Sequence, residues 1–583
     1  MAKKIYQLMN DNPVARWSAL ILIALMMFFG YMFVDVMSPI ESLLEAERSW
    51  SPSVFGTYAA GEYILNVCGF LILAGIILDK CGIRFTGTLS ASLMLLGAVI
   101  KFVGVNDWFQ ETSFNHWLDS WWVSMPGSAK MSALGFMIFG CGCEMAGITV
   151  SRAIAKWFNG KEMALAMGLE MAIARVGVFS VFSISPAIAK SFGTIVAPVA
   201  FCTLLLLIGL IFFLVFCVMD KKFDAQLGKG SAEGESEEEF KVSDVRTIFS
   251  SKIFWVIALL CVLYYSAIFP FQRYGANMLQ CNLGIDATTA SNIFRWFPIG
   301  AAVITPFLGA FLDNKGKGAT MLIWGSLLLI CCHLIFAFLV PATGSAFIAY
   351  ATIVVLGISF ALVPAALWPS VPKVMNPRYL GSAYSLIFWV QNIGLCFVPL
   401  LIGNVLASSN SDNQIVKQTK NFVEQYQETS LAMDKDTIAF DTCYTKLSKT
   451  CDTIDMIYKG LKAEQKTPAV DTTYAAVTKT MDALKERKDS IVNYIKANPV
   501  KEQPQAGIFD FLTKEKKAET QLDKYREKID KHSGAIFVPY RFTVPLILFA
   551  SFGVIAFFIA LYLKIIDKKN KYGLEEPNIK KDK

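Results

Sequence analysis

GIILDKCGIR, residues 75–84, closes one apolar run of this 583-residue chain, and GAFLDNKGK, residues 309–317, closes another. Both read G-x-x-x-D-x-x-G, and in both cases a further apolar run follows at once. The composition says what such runs are for: the chain is 54% hydrophobic and only 17% charged, against roughly 25% charged residues in soluble domains. About 20 apolar residues carry an α-helix across roughly 30 Å of hydrocarbon, where the backbone has no water and must satisfy its own hydrogen bonds. Twelve such runs occur, at 15–44, 53–78, 85–104, 129–155, 161–188, 194–218, 252–276, 287–311, 319–340, 344–369, 379–406 and 540–566. The first is too long to be a cleavable leader and runs directly on to a second span. The sequence therefore predicts an all-α polytopic membrane protein. The two related turns end the second and the eighth span, the second of each set of six, which marks an internal duplication of the kind from which many transporters are built.

Charge sets the expected topology. Lys3, Lys4 and Arg16 precede the first span, and alternate turns carry Lys80 and Arg84, Arg152 and Lys156, Lys221 and Lys222, Lys315 and Lys317, Lys373 and Arg378, with Lys568, Lys569 and Lys571 after the last span. The opposite short turns are almost bare of positive charge, so both termini are predicted to be cytoplasmic. The net charge of +7 is thus topological and implies no nucleic-acid partner; the lipid bilayer is the partner it implies.

The predicted organisation is a six-helix half at 1–218, a Gly/Ser/Glu-rich cytoplasmic linker at 219–251, helices 7–11 of the second half at 252–406, an insertion at 407–539, helix 12 at 540–566 and a cytoplasmic tail at 567–583. The insertion is charged and Lys- and Glu-rich with scattered apolar positions, which predicts two or three extracytoplasmic amphipathic helices broken at Pro468 and around Pro499 to Pro504. It is either a cap for protein-partner docking or access control, or a lineage-specific insertion with little effect on transport. Cys443 and Cys451 lie within it; on one continuous helix, eight residues at 1.5 Å each hold them about 12 Å apart, beyond disulfide reach. The loop at 105–128 carries Trp108, Trp117, Trp121 and Trp122, an arrangement suited to a headgroup layer. His333, with nothing titratable near it in sequence, is expected to be packed.

FGCGCEMAGITV, residues 139–150, sets Glu144 deep in the fourth span, and Arg175 lies as deep in the fifth. Each is about fifteen residues from the turn at Asn159 and Gly160, hence roughly 23 Å from it along its helix. A lone charge at that depth costs about 2.5–3.5 kcal/mol even on the lenient insertion scale. Two readings stand: the pair neutralises itself, or it binds the two ends of a zwitterion, the carboxylate taking an amine and the guanidinium a carboxylate. Tyr31, Tyr264, Tyr265, Gln391 and, toward the cytoplasm, Trp368 are candidates to line the same cavity. Asp35, Glu62, Arg273 and Arg295 count toward the outer half of the membrane as a charge network or gate.

The paired turns resemble the signature loop of the major facilitator superfamily. That resemblance implies a charge-linked cytoplasmic latch at Gly75, Asp79, Lys80, Gly82 and Arg84, with Gly309, Asp313 and Gly316 as a weaker copy in which Asn314 replaces the basic residue. YMFVDVMSP (31–39), KWFNGKEMALAMGLEMAIARVG (156–177), CVLYYSAIFPF (261–271) and ALWPSVPKVMNPRYLGSAYSLIFWVQNIGL (366–395) are similar to the lysosomal dipeptide transporter branch of that superfamily and its bacterial relatives. The resemblance spans most of the membrane runs and leaves out the 407–539 insertion. It implies two pseudo-symmetric six-helix halves, facilitative dipeptide transport, and Glu144 and Arg175 as the residues that bind the dipeptide's two ends.

No Ser/His/Asp set, metal-ligand cluster or G-x-x-x-x-G-K-[ST] phosphate loop occurs, so neither an enzyme nor a cofactor is expected. The leading expectation is a dipeptide facilitator working by alternating access. The alternatives are a proton-coupled or exchanging carrier of small organic anions, with Asp35 or Glu62 carrying the proton, and a non-transporting receptor or scaffold. The chain contains no N-x-[ST] glycosylation acceptor, although about 130 Lys-rich residues are expected outside, which predicts a bacterial plasma membrane rather than a lysosomal one.

Overall fold

The computed structural model describes residues 8–158, 161–227, 242–375, 380–410, most of 437–497 and 539–577, with isolated positions between 418 and 429. No strand occurs among them. Among the described residues, twelve helices are long and apolar enough to span a membrane: α1 Pro13–Arg48, α2 Pro52–Leu78, α3 Lys80–Val105, α4 Gly127–Trp157, α5 Leu165–Phe192, α6 Val196–Gln226, α7 Lys252–Leu283, α8 Ala287–Lys315, α9 Gly318–Thr343, α10 Ala346–Val374, α11 Ala383–Ser409 and α12 Thr543–Asn570. Six make each half. The turn at Asn159 and Gly160, residues 228–241 of the linker and the break around Pro499 to Pro504 lie outside the described residues.

The duplication is visible in the packing. α2 lies on α4 as α8 lies on α10, α3 on α4 as α9 on α10, and α1 on α6 as α7 on α12. Across the halves, α5 packs on α8. Because the spans alternate, one end of the bundle carries the start of α1 and the end of α12; it is called the terminal end here, and the opposite one the far end. The residues before α1 and its first turn are tied to the terminal end: Met9 N donates to Gln226 Oε1 (2.7 Å), Arg16 pairs with Glu162 (3.0 Å) and Lys161 with Asp11 (2.7 Å).

The first span is not one smooth helix. Its regular part stops at Val34, residues 38–40 form a tight turn, and a second helix begins at Glu41. Pro39 explains the stop, since it has no N–H to give to the Asp35 carbonyl and its ring crowds that carbonyl. The break leaves the Val34 carbonyl and the Asp35 side chain available to other helices. α2 is likewise interrupted, at residues 66–70, where Gly69 takes φ +108°.

Residues 408–540 form a compact unit of their own. Its helices Thr437–Gly460 and Pro468–Ala497 pack through Leu447, Ile454, Ile457, Leu461, Val470, Val477 and Leu484, joined by Phe422 and Tyr426. Tyr458 stacks on Tyr474 with centroids 3.8 Å apart, and Tyr474 donates to Asp455 (2.6 Å). Pro468 opens the second helix, the one place where its missing N–H costs nothing. Cys443 and Cys451 sit on one uninterrupted helix and are both free, so no bridge joins them. His333 is packed between Phe271 and Phe549 (4.9 and 5.4 Å).

The turn between α8 and α9, the second of the two related turns, is covered by the chain's own tail. Lys317 N and Gly318 N donate to the carbonyls of Glu575 (3.1 Å) and Leu574 (3.0 Å), and the Glu575 carboxylate accepts from Thr320 N at 2.7 Å. Leu574 is buried, and Lys373 at the end of α10 donates to the Gly573 and Glu576 carbonyls (3.0 and 3.1 Å). A Cβ on Gly316 would meet the Glu575 carbonyl oxygen at 2.4 Å, so only glycine admits the tail this closely. Replacing Glu575 with Ala removes a charge-assisted bond at the start of α9 and is expected to cost about 1–2 kcal/mol. Thermal unfolding of the purified protein in detergent measures this, and an unchanged midpoint contradicts it.

Candidate functional site

Arg175 projects from α5 toward the other half of the molecule. Its guanidinium carbon lies 4.8 Å from the ring centre of Phe360 on α10 and 5.8 Å from that of Phe269 on α7. Phe269 stacks on Tyr265 (5.6 Å), whose hydroxyl accepts from Trp368 Nε1 at 3.1 Å, and Trp368 stacks on Phe388 of α11 (4.7 Å). Arg175 therefore faces a continuous aromatic wall from α7, α10 and α11. Gln391 meets the same region from α11, its Oε1 accepting from Cys261 Sγ at 3.3 Å, one helical turn before Tyr265.

The first half supplies the charges. Tyr31 on α1 lies in the combined field of Arg175, Glu170 and Glu144, and all four side chains are half-buried. Glu144 and Arg175 form no ion pair with each other, and neither pairs with another described residue. Equal depth did not make them neighbours: α4 packs mainly on α3 and α2, whereas α5 packs on α1 and α8. The self-neutralising pair is thus not made in this conformation. Glu144 instead feels the charge of Glu62 on α2.

Among the expected lining residues, Tyr31, Tyr265, Trp368 and Gln391 share the region with Arg175, and Tyr264 does not. It is fully buried, its hydroxyl bonded to the Ser359 carbonyl and 2.8 Å from Ser359 Oγ in the seam between α7 and α10. Two adjacent helical residues point about 100° apart, so Tyr264 and Tyr265 cannot both face the cavity. Sequence reasoning missed Glu170, Phe269, Phe360 and Phe388. Glu170 was detectable as a second acid inside the fifth span; the phenylalanines carry no signal that separates them from the other apolar residues of their helices.

The expected outer charge network is present and buried, without one of its members. Arg273 of α7 pairs with Asp35 at 2.8 Å and with Glu62, and donates to the Val34 carbonyl at 2.5 Å. Gln272 Nε2 donates to the other Asp35 oxygen (2.5 Å), and Ser38 Oγ to the first (3.1 Å). Arg295 stands apart, donating to Ser183 Oγ (3.0 Å) beside Phe179 and Trp296. The network joins the halves at the far end, where they also touch backbone to backbone: Cβ atoms on Gly56 and Gly403 would meet the carbonyl oxygens of Pro399 and Pro52 at 2.4 Å.

The terminal end differs. Cβ atoms on Gly75, Gly82 or Gly309 would meet nothing within 4 Å, so these latch glycines make no close approach in this conformation. The Asp79 side chain lies outside the described residues, and Lys80 is exposed. Arg84 takes its partners from α6, Asp220 (3.1 Å) and Asp224 (2.5 Å), with Lys156 on the same two acids (2.8 and 2.5 Å). Those bonds lie within the first half. Among the described residues, the halves are held together by ion pairs and backbone contact at the far end, and none of these three glycines makes such a contact at the terminal one.

The Major Facilitator Superfamily pattern matches residues 20–399. The chain is 27% identical over 407 residues to the lysosomal dipeptide transporter MFSD1 of Danio rerio, covering 68% of this chain and 82% of that one, and 25% identical over 402 residues to that of Homo sapiens, covering 67% and 80%. In fold it is similar to a bacterial homologue of the human lysosomal transporter Spinster in its inward-facing, unoccupied conformation (TM-score 0.54, 14% identity, 96% of this chain and 99% of that one). It is similar in the same way to the nucleoside transporter NupG (TM-score 0.51, 14% identity, 68% of this chain and 91% of that one).

Replacing Arg273 with Met removes the ion-pair partner of two buried carboxylates, at an expected cost of about 3–5 kcal/mol. The expected result is a lower thermal midpoint together with faster labelling of the far end by an impermeant reagent, and wild-type values for both contradict this account of the closure. With two six-helix halves that repeat each other's packing, a guanidinium of one half laid on aromatic rings of the other, one end joined by ion pairs, and the family pattern over residues 20–399, the chain belongs to the Major Facilitator Superfamily and is a multi-pass membrane transporter.

Proposed function

We propose that this transporter carries dipeptides and similar small zwitterions by facilitated alternating access. The observation that supports this reading is the state of Arg175: a guanidinium laid on two aromatic rings, with Glu144 on a different helix and no ion pair between them. An extended dipeptide spans about 7 Å. Separated charges can take up that length, and a contact ion pair cannot. Arg175 holds the substrate carboxylate bidentately, Glu144 holds its ammonium, and Tyr265, Phe269, Phe360 and Trp368 face its side chains. The named substrate of the relatives, a dipeptide, agrees with this chemistry. Because Glu144 feels the charge of Glu62, an ammonium arriving at Glu144 also relieves repulsion next to the far-end ion pairs, which links occupancy to closure.

By the distribution of Lys and Arg, the terminal end is cytoplasmic and residues 407–539 lie outside; the conformation described is then inward-open. The membrane proposed is the bacterial plasma membrane. Protease added to intact spheroplasts is expected to cut within 407–539 and to spare 219–251; the reverse pattern would invert the topology.

In proteoliposomes, labelled dipeptide is expected to equilibrate down its gradient at the same rate with and without a pH gradient. Arg175→Ala and Glu144→Gln are each expected to lower uptake by at least roughly tenfold, the order associated with losing one partner of a desolvated charge contact, while reaching the membrane normally. Near-normal uptake by either variant would remove that residue from the site. Uptake that requires a proton gradient would favour the coupled carrier.

A further inference from the structure

Lys101 of α3 is fully buried, yet its Nζ has no hydrogen-bond partner. It sits in a cage of three rings, 4.3 Å from the centre of Phe33 on α1, 4.4 Å from Phe136 on α4 and 5.0 Å from Tyr58 on α2. Its charged neighbours are Arg273, Glu62 and Asp35. Arg273 approaches the same Phe136 ring, at 5.5 Å. The site is thus one cluster of two acids and two bases, in which Arg273 takes every ion pair and Lys101 takes none.

The members do not belong to one moving part. Asp35, Glu62 and Lys101 lie on α1, α2 and α3 of the first half, whereas Arg273 and Gln272 lie on α7 of the second. If the far end opens, α7 takes both of its donors away. Asp35 keeps Ser38; Glu62 keeps no ion pair. A buried carboxylate in that condition is strongly disfavoured, and the remaining basic side chain in its electrostatic surroundings is Lys101.

We propose that Lys101 is a positioning residue for the transport cycle, a reserve counter-ion that the aromatic cage holds while the far end is closed and that pairs with Glu62 when Arg273 departs. Aromatic faces suit a waiting cation, because they attract an ammonium without the directional bonds that would fix it in place. The flexible four-carbon stem permits the exchange. The residue thereby lowers the energy of the outward-open state while contributing no ion pair to the closed one. This inference rests on the alternating-access reading above.

Hydrogen–deuterium exchange of the full-length protein in nanodiscs, read at the far-end rims 35–48 and 274–286, tests it in four forms: wild type, Glu62→Gln, Lys101→Met and the double variant. Glu62→Gln removes a closing ion pair and is expected to raise rim exchange. Lys101→Met is expected to lower it roughly tenfold or more relative to wild type, and to slow dipeptide uptake in parallel. In the Glu62→Gln background, Lys101→Met is expected to change nothing, because no carboxylate is left to neutralise; a packing role would show the same effect in both backgrounds. Lys101→Arg, which keeps the charge, is expected to retain wild-type rim exchange and serves if the Met variant does not fold. Unchanged or raised rim exchange in Lys101→Met, with Glu62→Gln still opening the rim, overturns the counter-ion role and leaves alternating access standing. Unchanged exchange in Glu62→Gln overturns the gating account itself.

Discussion

Arg273 holds two carboxylates from the opposite half of the molecule, and the state of the rest of the protein follows from that grip. Asp35 is presented by a break in the first helix, Glu62 by the second, and the guanidinium reaches both while also taking the Val34 carbonyl. Such a pair gives little net stability when made, yet costs several kcal/mol when one partner is lost. That asymmetry suits a closure meant to be kept or released as a unit. With the far end pinned, the backbones at Gly56 and Gly403 come together, while Gly75, Gly82 and Gly309 at the other end make no close contact.

Much of the architecture was legible because the bilayer imposes it. A spanning backbone must be helical, so apolar length alone located twelve helices, and two G-x-x-x-D-x-x-G turns in corresponding places announced the duplication that the repeated packing pairs display. The mid-membrane charges were equally plain, since a charge in hydrocarbon needs a reason. Glu144, Arg175, Asp35, Glu62 and Arg273 were all found this way. What sequence counting measures is depth along a helix.

Depth does not give azimuth or neighbour. Glu144 and Arg175 lie at matched depth on consecutive helices that diverge to different partners, so the pairing suggested by arithmetic is not made. Tyr264 and Tyr265 stand side by side in sequence, but one is fixed to Ser359 in a helix seam and the other faces the aromatic wall. Arg295 was grouped with Arg273 by depth and instead bonds Ser183. The tail segment over the α8–α9 turn had no local signal, because the contacts of Glu575 are with residues about 250 positions earlier in the chain.

The central claim is that Arg175 and Glu144 grasp the two charged ends of one small zwitterion. It is tested most directly by calorimetric titration of the purified transporter with a dipeptide, the same dipeptide acetylated at its amine, and the same dipeptide amidated at its carboxylate. The account predicts that the free dipeptide binds and that each blocked form loses at least tenfold in affinity, with the amidated form no longer sensitive to Arg175→Ala and the acetylated form no longer sensitive to Glu144→Gln. Equal binding of all three would contradict it.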